Sequence, residues 1–227
     1  QADALNVNFQ NYINGQLTLS WKQIRIFKRT KFEYKYREHE VPRAKSKSYQ
    51  IQDSKIVIEH RTPDGRAISK SEPMLARLAT DVSENPDDPH PLYFYHRECL
   101  NQGHYEKCIE LGEQYLELTA AGGYIQSNVY ANLANVYQRM GNIDRARAQL
   151  HAAAACEPYN REWLYRLGGL HFNCQEWQTS LAYLRAALEL PIDNRSGWHE
   201  TSGAQILELI NYCQQNIAHA LAHSPAH

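Results

Sequence analysis

The feature that most constrains this chain is a repeat. Leu133, Ala134, Tyr137, Gly141, Ala146, Leu150, Ala153 and Pro158 have counterparts 34 positions later in Leu167, Gly168, His171, Gln175, Ser180, Leu184, Ala187 and Ile192. Leu with a small residue after it, and later Leu then Ala, return in phase. An earlier copy stands 38 residues upstream, with Leu92, Tyr95, His96, Cys99, Gly103, Tyr105, Cys108, Ile109, Tyr115 and Leu118. Its four extra residues fit the loop Thr119-Ala120-Ala121-Gly122-Gly123. Units of this period cannot bury enough apolar surface alone, so neighbours must stack. Each unit reads as two antiparallel helices. Ala134, Ala146, Ala153 and Gly168 let helices approach, while Leu133, Tyr137 and Leu150 fill the space between units. Gly103 and Gly141 fall at the turn between paired helices, where a left-handed residue is useful. Pro158 ends its helix because it has no N–H to donate. A last helix, about Gly203 to Ala222, carries Ile206, Leu207, Leu209, Ile210 and Cys213 and caps the stack.

Thirty-four residues is the tetratricopeptide period. Tyr130, Leu133, Ala134, Tyr137, Gly141, Ala146, Leu150, Ala153 and Pro158 together resemble that family's consensus. The resemblance implies an α-solenoid in which the first helix of each unit lines a concave face. By register Arg97, Asn101, Asn132, Asn135, Arg139, Tyr165, Arg166 and Asn173 lie there. Amide and guanidinium groups suit a protein or peptide partner, through its backbone or its carboxylates. The alternative is a solvated polar face with no ligand.

Residues 1–66 follow another pattern. Asn14-Gly15 between VNFQNYI and QLTLSW is a two-residue hairpin signal. The stretches WKQIRIFKR, KFEYKYREHEV and IQDSKIVIEH alternate or are β-branched, as strands do. Thr62-Pro63-Asp64-Gly65 reads as a turn. A helix follows from about Glu72 to Ser83, with Ser71 as N-cap and Pro73 in its first turn. Asn85-Pro86-Asp87-Asp88-Pro89 then breaks the chain. The expected fold is α+β and mostly α. A small antiparallel β segment covers 1–70, a connecting helix and linker 71–88, and a tetratricopeptide-like α-solenoid with a capping helix 89–227. About 60 residues of sheet are marginal alone, so the segment is expected to be the tail of a larger domain.

A second resemblance rests on ordered motifs. These are Trp21…Arg25-Ile26-Phe27, Phe32-Glu33-Tyr34, Arg37-Glu38-His39-Glu40, Ile56-Val57-Ile58-Glu59-His60, Lys70…Leu75…Leu78 and Asn85-Pro86-Asp87-Asp88-Pro89. From about Trp21 onward the chain resembles the C-terminal part of bacterial family 2 glycosyltransferases fused to tetratricopeptide repeats. That resemblance implies that the β segment is a remnant of a GT-A-type domain. It implies a parent enzyme that moves a sugar from a nucleotide donor with a divalent cation, Mn or Mg. His39 would be a metal ligand, and Glu40 or Glu38 would position or deprotonate the acceptor. Arg37 and Lys35 would contact phosphate. His39 and Glu40 are neighbours, and on a strand they would point to opposite faces unless the strand ends there. The chain departs from the family in lacking an Asp-x-Asp motif, since Asp87-Asp88 belongs to the linker. Its second histidine, His60, is followed by Arg61-Thr62 where the family usually has a Gly-Tyr-like pair. The chain alone is therefore expected to be inactive as a transferase. The alternative is a non-enzymatic adaptor whose repeats bind a partner peptide.

Composition narrows the setting. No apolar run approaches the roughly 20 residues of a membrane span, and the start QADALNVNFQ is unlike a signal peptide. The five cysteines fall on expected helices without a Cys-x-x-Cys pair and read as free thiols of a reducing, cytoplasmic compartment. Asn194-Arg195-Ser196 has the form of a glycosylation sequon, which those thiols argue against. Residues 1–80 hold 15 Lys and Arg against 8 Asp and Glu, and the remainder 9 against 17, which suggests two parts with different jobs. The front cations interleave with Trp21, Phe27, Phe32, Tyr34 and Tyr36. That pattern also fits nucleic-acid binding, but no nucleic-acid module motif accompanies it, and a solvated sheet face is expected. No phosphate-binding glycine loop and no Gly-x-Ser-x-Gly elbow occurs.

Overall fold

The computed structural model describes residues 2–13, 15–62, 71–120, 122–191 and 202–223. It divides into two compact units, the first reaching Phe94 and the second beginning at Tyr95. The expected turn at Thr62-Pro63-Asp64-Gly65, the sequon at Asn194, and Lys70 and Ile192 lie outside the described residues or at their edge.

In the first unit β1 (Ala4–Ile13) and β2 (Gln16–Phe27) form an antiparallel hairpin. Ile13 pairs with Gln16, which leaves two residues for the turn, and Gly15 takes φ +76° there. The sheet is completed by β5 (Ile51–Thr62) in the order β2-β1-β5. Here an expectation fails. β5 runs parallel to β1, so the sheet is mixed and not antiparallel throughout. The reason is a clamp at one end of β1. Ala4 faces both Phe27, at the end of β2, and Ile51, at the start of β5. The Asp3 carbonyl accepts from Lys28 N at 2.9 Å, and Asp3 N donates to the Gln50 carbonyl at 2.9 Å. The Asp3 carboxylate also accepts from Gln50 N at 3.2 Å and from Lys28 Nζ at 2.9 Å. The excursion from Lys28 to Gln50 thus leaves and returns at the same end of β1, and the next strand can only run alongside it.

Within that excursion KFEYKYREHEV, read as one strand, is broken into β3 (Phe32–Lys35), a five-residue loop, and β4 (Val41–Ala44). β3 and β4 pair antiparallel as a separate ribbon. Tyr36 and His39 in the loop have φ of +74° and +51°, conformations that a strand cannot contain. Helix α1 (Ser71–Glu84) follows, one residue longer at each end than expected. Among the described residues, the buried apolar side chains of these elements are Ala4, Val7, Phe32 and Leu78.

The helical elements are α2 (Pro89–Asn101), in which the division between units falls, α3 (Tyr105–Leu118), α4 (Tyr124–Arg139), α5 (Ile143–Cys156), α6 (Arg161–Asn173), α7 (Trp177–Glu189) and α8 (Gly203–Ala222). The positions paired by the 34-residue shift occupy equivalent sites. Leu133 and Leu167, Ala146 and Ser180, Leu150 and Leu184, and Ala153 and Ala187 are all buried. The small residue at Gly168, the counterpart of Ala134, has a steric cause. A Cβ on Gly168 would lie 2.8 Å from the Leu184 side chain. Ser180 is tolerated in the core because its hydroxyl donates to the Gly168 carbonyl at 2.8 Å. Asn142 and Asn160 cap α5 and α6, accepting from Arg145 N and Glu162 N. Ser202 and Gln205 form a capping box at the start of α8. The α8 residues Ile206, Ile210 and Cys213 pack with Leu184 and Ala187, which is the capping contact read from the sequence.

Candidate functional site

A groove of about 260 Å³ lies between α4 and α6. Its floor comes from Ala131, Ala134, Leu150 and Leu170, with Gly169 keeping the α6 side low. Its polar rim is Asn135 and Gln138 from α4 and Tyr165, Arg166 and Asn173 from α6. Four of the eight concave residues expected from register, Asn135, Tyr165, Arg166 and Asn173, therefore share one site. Asn132, Arg97 and Asn101 do not line it. Arg97 and Asn101 belong to α2, where the Asn101 amide donates to Glu98 at 3.2 Å. Arg139 sits one turn along α4 and donates to Asn135 Oδ1 at 2.8 Å and to the Tyr105 hydroxyl at 3.2 Å. Arg166 donates to Glu162 at 2.8 Å and lies over the Trp163 ring at 5.4 Å. Burial pushes the Tyr165 hydroxyl pKa up, with Glu162 and Glu208 adding to it, so the rim tyrosine stays a neutral donor. Gln138 was not singled out from the sequence, although its spacing of three from Asn135 puts both on one helix face.

The residues expected to do chemistry are also together, but occupied. Arg37 reaches Glu84 through two bonds of 2.7 Å and Asp81 through one of 2.9 Å. Asp81, fully buried, also accepts from the backbone amides of Arg37 at 2.8 Å and Glu38 at 3.3 Å. Glu38 is paired with Arg77. Lys35 donates to Asp88 at 3.1 Å, and Asp88 also takes the Tyr36 hydroxyl, the His90 amide at 3.0 Å, and Arg43 at 3.5 Å. Burial pushes the Asp88 carboxyl up, but the Tyr36 hydroxyl, the His90 amide and Lys35 outweigh it and hold its pKa at about 2. The His39 ring stacks on Phe94 with centroids 3.8 Å apart, and its carbonyl accepts from His90 Nε2 at 3.3 Å. Glu40 is exposed. His60 lies on β5, stacked on Phe9 and bonded to Asn11 at 2.9 Å. Among the described residues no group of three His, Cys, Asp or Glu side chains is placed to hold a metal.

These pairs change the meaning of the charge split. Cut at Phe94 rather than at residue 80, the first part holds 15 Lys and Arg against 12 Asp and Glu, and the second 9 against 13. The difference is Asp81, Glu84, Asp87 and Asp88, of which Asp81, Glu84 and Asp88 pair with Arg37, Lys35 and Arg43. Much of the asymmetry is one unit's internal ion pairing.

No family model matches the chain, and no curated protein matches it. Solved structures do. Yeast Tom70 aligns with a TM-score of 0.52 at 14% identity over 66% of this chain and 30% of that one. The Cut9–Hcn1 hetero-tetramer of the APC/C aligns at 0.50, with 15% identity over 66% and 27%. The Sgt2 tetratricopeptide domain from Aspergillus fumigatus aligns at 0.47, with 19% identity over 61% and 86%. The helical repeats form a tetratricopeptide-like α-solenoid. At these identities the likeness is one of fold, and this chain spans less than a third of the Tom70 and Cut9 chains. Among the described residues no helix is long and apolar enough to cross a membrane.

Proposed function

We propose that this chain is a protein-interaction adaptor whose solenoid groove holds an extended peptide segment of a partner. The observation that supports it is the groove itself. Amides of Asn135, Gln138 and Asn173 rim an apolar floor, and no carboxylate lines it among the described residues. Side-chain amides both donate and accept, which matches the alternating N–H and C=O of an extended backbone. The apolar floor takes the side chains between them. The five cysteines are free thiols, which fits a reducing, cytoplasmic setting.

The test is selection of binders from a random peptide display library on the intact chain, followed by affinity measurement by fluorescence anisotropy. An Asn135→Ala/Asn173→Ala variant is expected to bind the selected peptides at least tenfold more weakly, with unchanged far-UV circular dichroism. Undiminished binding by the variant would rule the groove out. The nucleotide-sugar transferase reading keeps its motif order alone. Arg37, Lys35 and Glu38, which it needs free for substrate, are held by Asp81, Glu84, Asp88 and Arg77.

A further inference from the structure

The last turn of α8 carries two exposed histidines, His219 and His223. Residues four apart stand one above the other on a helix face. Here the two imidazoles are stacked, with centroids 4.1 Å apart and planes 21° from parallel. The side of α8 that packs on the solenoid is used earlier in the helix, by Ile206, Ile210 and Cys213. The histidine pair is left open to solvent.

One ring nitrogen has its role fixed. His223 Nδ1 lies 2.8 Å from the His219 carbonyl oxygen. A carbonyl oxygen only accepts, so Nδ1 carries the ring proton. In a neutral imidazole this leaves Nε2 with a lone pair and no hydrogen. A backbone carbonyl in that place is a usual outer partner of a metal-bound histidine, because it fixes the tautomer and makes the other nitrogen more basic. Helix capping alone explains the hydrogen bond, but it does not call for a second imidazole stacked one turn earlier.

The position also suits a cation. His223 is the C-cap of α8, and its backbone N–H donates to the same His219 carbonyl at 3.2 Å. Carbonyls of a last helical turn carry partial negative charge, which favours positive charge beside them. At a metal–nitrogen distance of about 2.0–2.1 Å, two nitrogens of a tetrahedral site stand about 3.3 Å apart. Stacked rings with centroids 4.1 Å apart reach that separation by small side-chain rotations, and exposed rings are free to make them.

We propose that His219 and His223 chelate a divalent transition cation of the class that prefers imidazole, Zn²⁺, Ni²⁺ or Cu²⁺. Two nitrogens come from the chain and water fills the other positions. The bound ion ties the last turn of α8 together. The site is independent of the peptide groove.

Isothermal titration of the intact chain with Ni²⁺, Zn²⁺ and Mg²⁺ tests it. Ni²⁺ and Zn²⁺ are expected to bind saturably and Mg²⁺, an oxygen-seeking ion, is not. His219→Ala and His223→Ala are each expected to weaken Ni²⁺ at least tenfold, because either change breaks the chelate. Leu221→His/His223→Leu keeps the number of imidazoles but sets the two on different sides of the helix, and it should weaken Ni²⁺ as much. Leu221 is 72% exposed, so this exchange disturbs little packing. Ni²⁺ should also slow amide exchange at residues 219–223 in the unaltered chain alone. Circular dichroism identifies any variant that fails to fold. Absence of saturable Ni²⁺ binding by the unaltered chain would overturn the proposal. So would equal affinity for Mg²⁺, or full Ni²⁺ affinity in a folded Leu221→His/His223→Leu variant, which would assign binding to scattered surface imidazoles.

Discussion

Replacing Gln175 by glycine is expected to stabilise the solenoid, and replacing Gly141 by alanine to destabilise it. The three turns inside the helix pairs are built alike. Asn142 N donates to the Tyr137 carbonyl at 2.8 Å and Gly141 N to Gln138 at 3.1 Å. In the next unit Glu176 N donates to His171 at 2.9 Å and Gln175 N to Phe172 at 2.9 Å. In the one before, His104 N donates to Cys99 at 2.9 Å and Gly103 N to Leu100 at 3.2 Å. This pair of bonds needs a left-handed residue, and φ is +78° at Gly103, +75° at Gly141 and +60° at Gln175. A residue with a Cβ gives up about 1–2 kcal/mol there. Glycine gives back about 0.5–1 kcal/mol through its freer unfolded chain. Gln175 is exposed, so little packing is lost with its side chain. Gln175→Gly should therefore gain about 0.5–1 kcal/mol. A Cβ on Gly141 would meet nothing within 4 Å, so Gly141→Ala isolates the backbone cost and should lose a similar amount. Urea unfolding followed by circular dichroism at the helix band reads both. A destabilised Gln175→Gly, or an unchanged Gly141→Ala, would refute the argument from φ.

Three further outcomes follow from partnered polar groups inside the fold. Asp81→Ala removes the acceptor of two backbone amides and a partner of Arg37, and should cost about 3 kcal/mol; hydrogen exchange at residues 35–40 should rise, and unchanged protection would contradict the role given to Asp81. Asp88 is held at about 2, below its ordinary 3.8, so its share of stability is full above the ordinary value and is lost as pH falls toward about 2; an Asp88→Asn variant whose acid transition keeps the unaltered slope would sink this. His96 is fully buried, and burial lowers its pKa from 6.5 to about 4, against the pull of the Cys108 carbonyl. The unfolded chain takes the proton first, so solenoid stability should fall below pH 6.5 by up to about 1.4 kcal/mol per pH unit and level off below about 4. His96→Leu should remove that slope, and a slope that survives would assign it elsewhere.

The helical half was legible because its information is local and periodic. The shift of 34 residues aligned buried with buried at Leu133 and Leu167, at Leu150 and Leu184, and at Ala153 and Ala187. It also aligned Gly141 with Gln175, a match that looks poor as chemistry and is sound as backbone geometry. The bounds of α8 were readable from Ser202, Gln205 and the apolar spacing that follows. Of the eight positions placed on the concave face by register, four line one groove. Register put Asn135, Tyr165, Arg166 and Asn173 on first helices of their units, but register alone cannot say which neighbouring units leave a hollow between them.

The front half was misread wherever the deciding partner is distant in sequence. KFEYKYREHEV alternates like a strand, yet its middle turns because Asp81 takes two amides of the loop from 44 and 43 residues away. Asp88 likewise ends up against Lys35 across 53 residues. The motif residues Arg37, Glu38 and Lys35 thereby read as substrate contacts in sequence and as ion pairs in space. The direction of β5 had no local signature either, since it follows from Asp3 gripping both ends of the excursion between Lys28 and Gln50. Period, turn positions, caps and the small-against-large pairing of helices were thus determined by the sequence itself, because each depends on residues within a turn or one repeat of each other. Strand direction, the fate of the charges and the existence of the solenoid groove were decided by tertiary structure, because each depends on which distant groups the folded chain brings within a few ångströms.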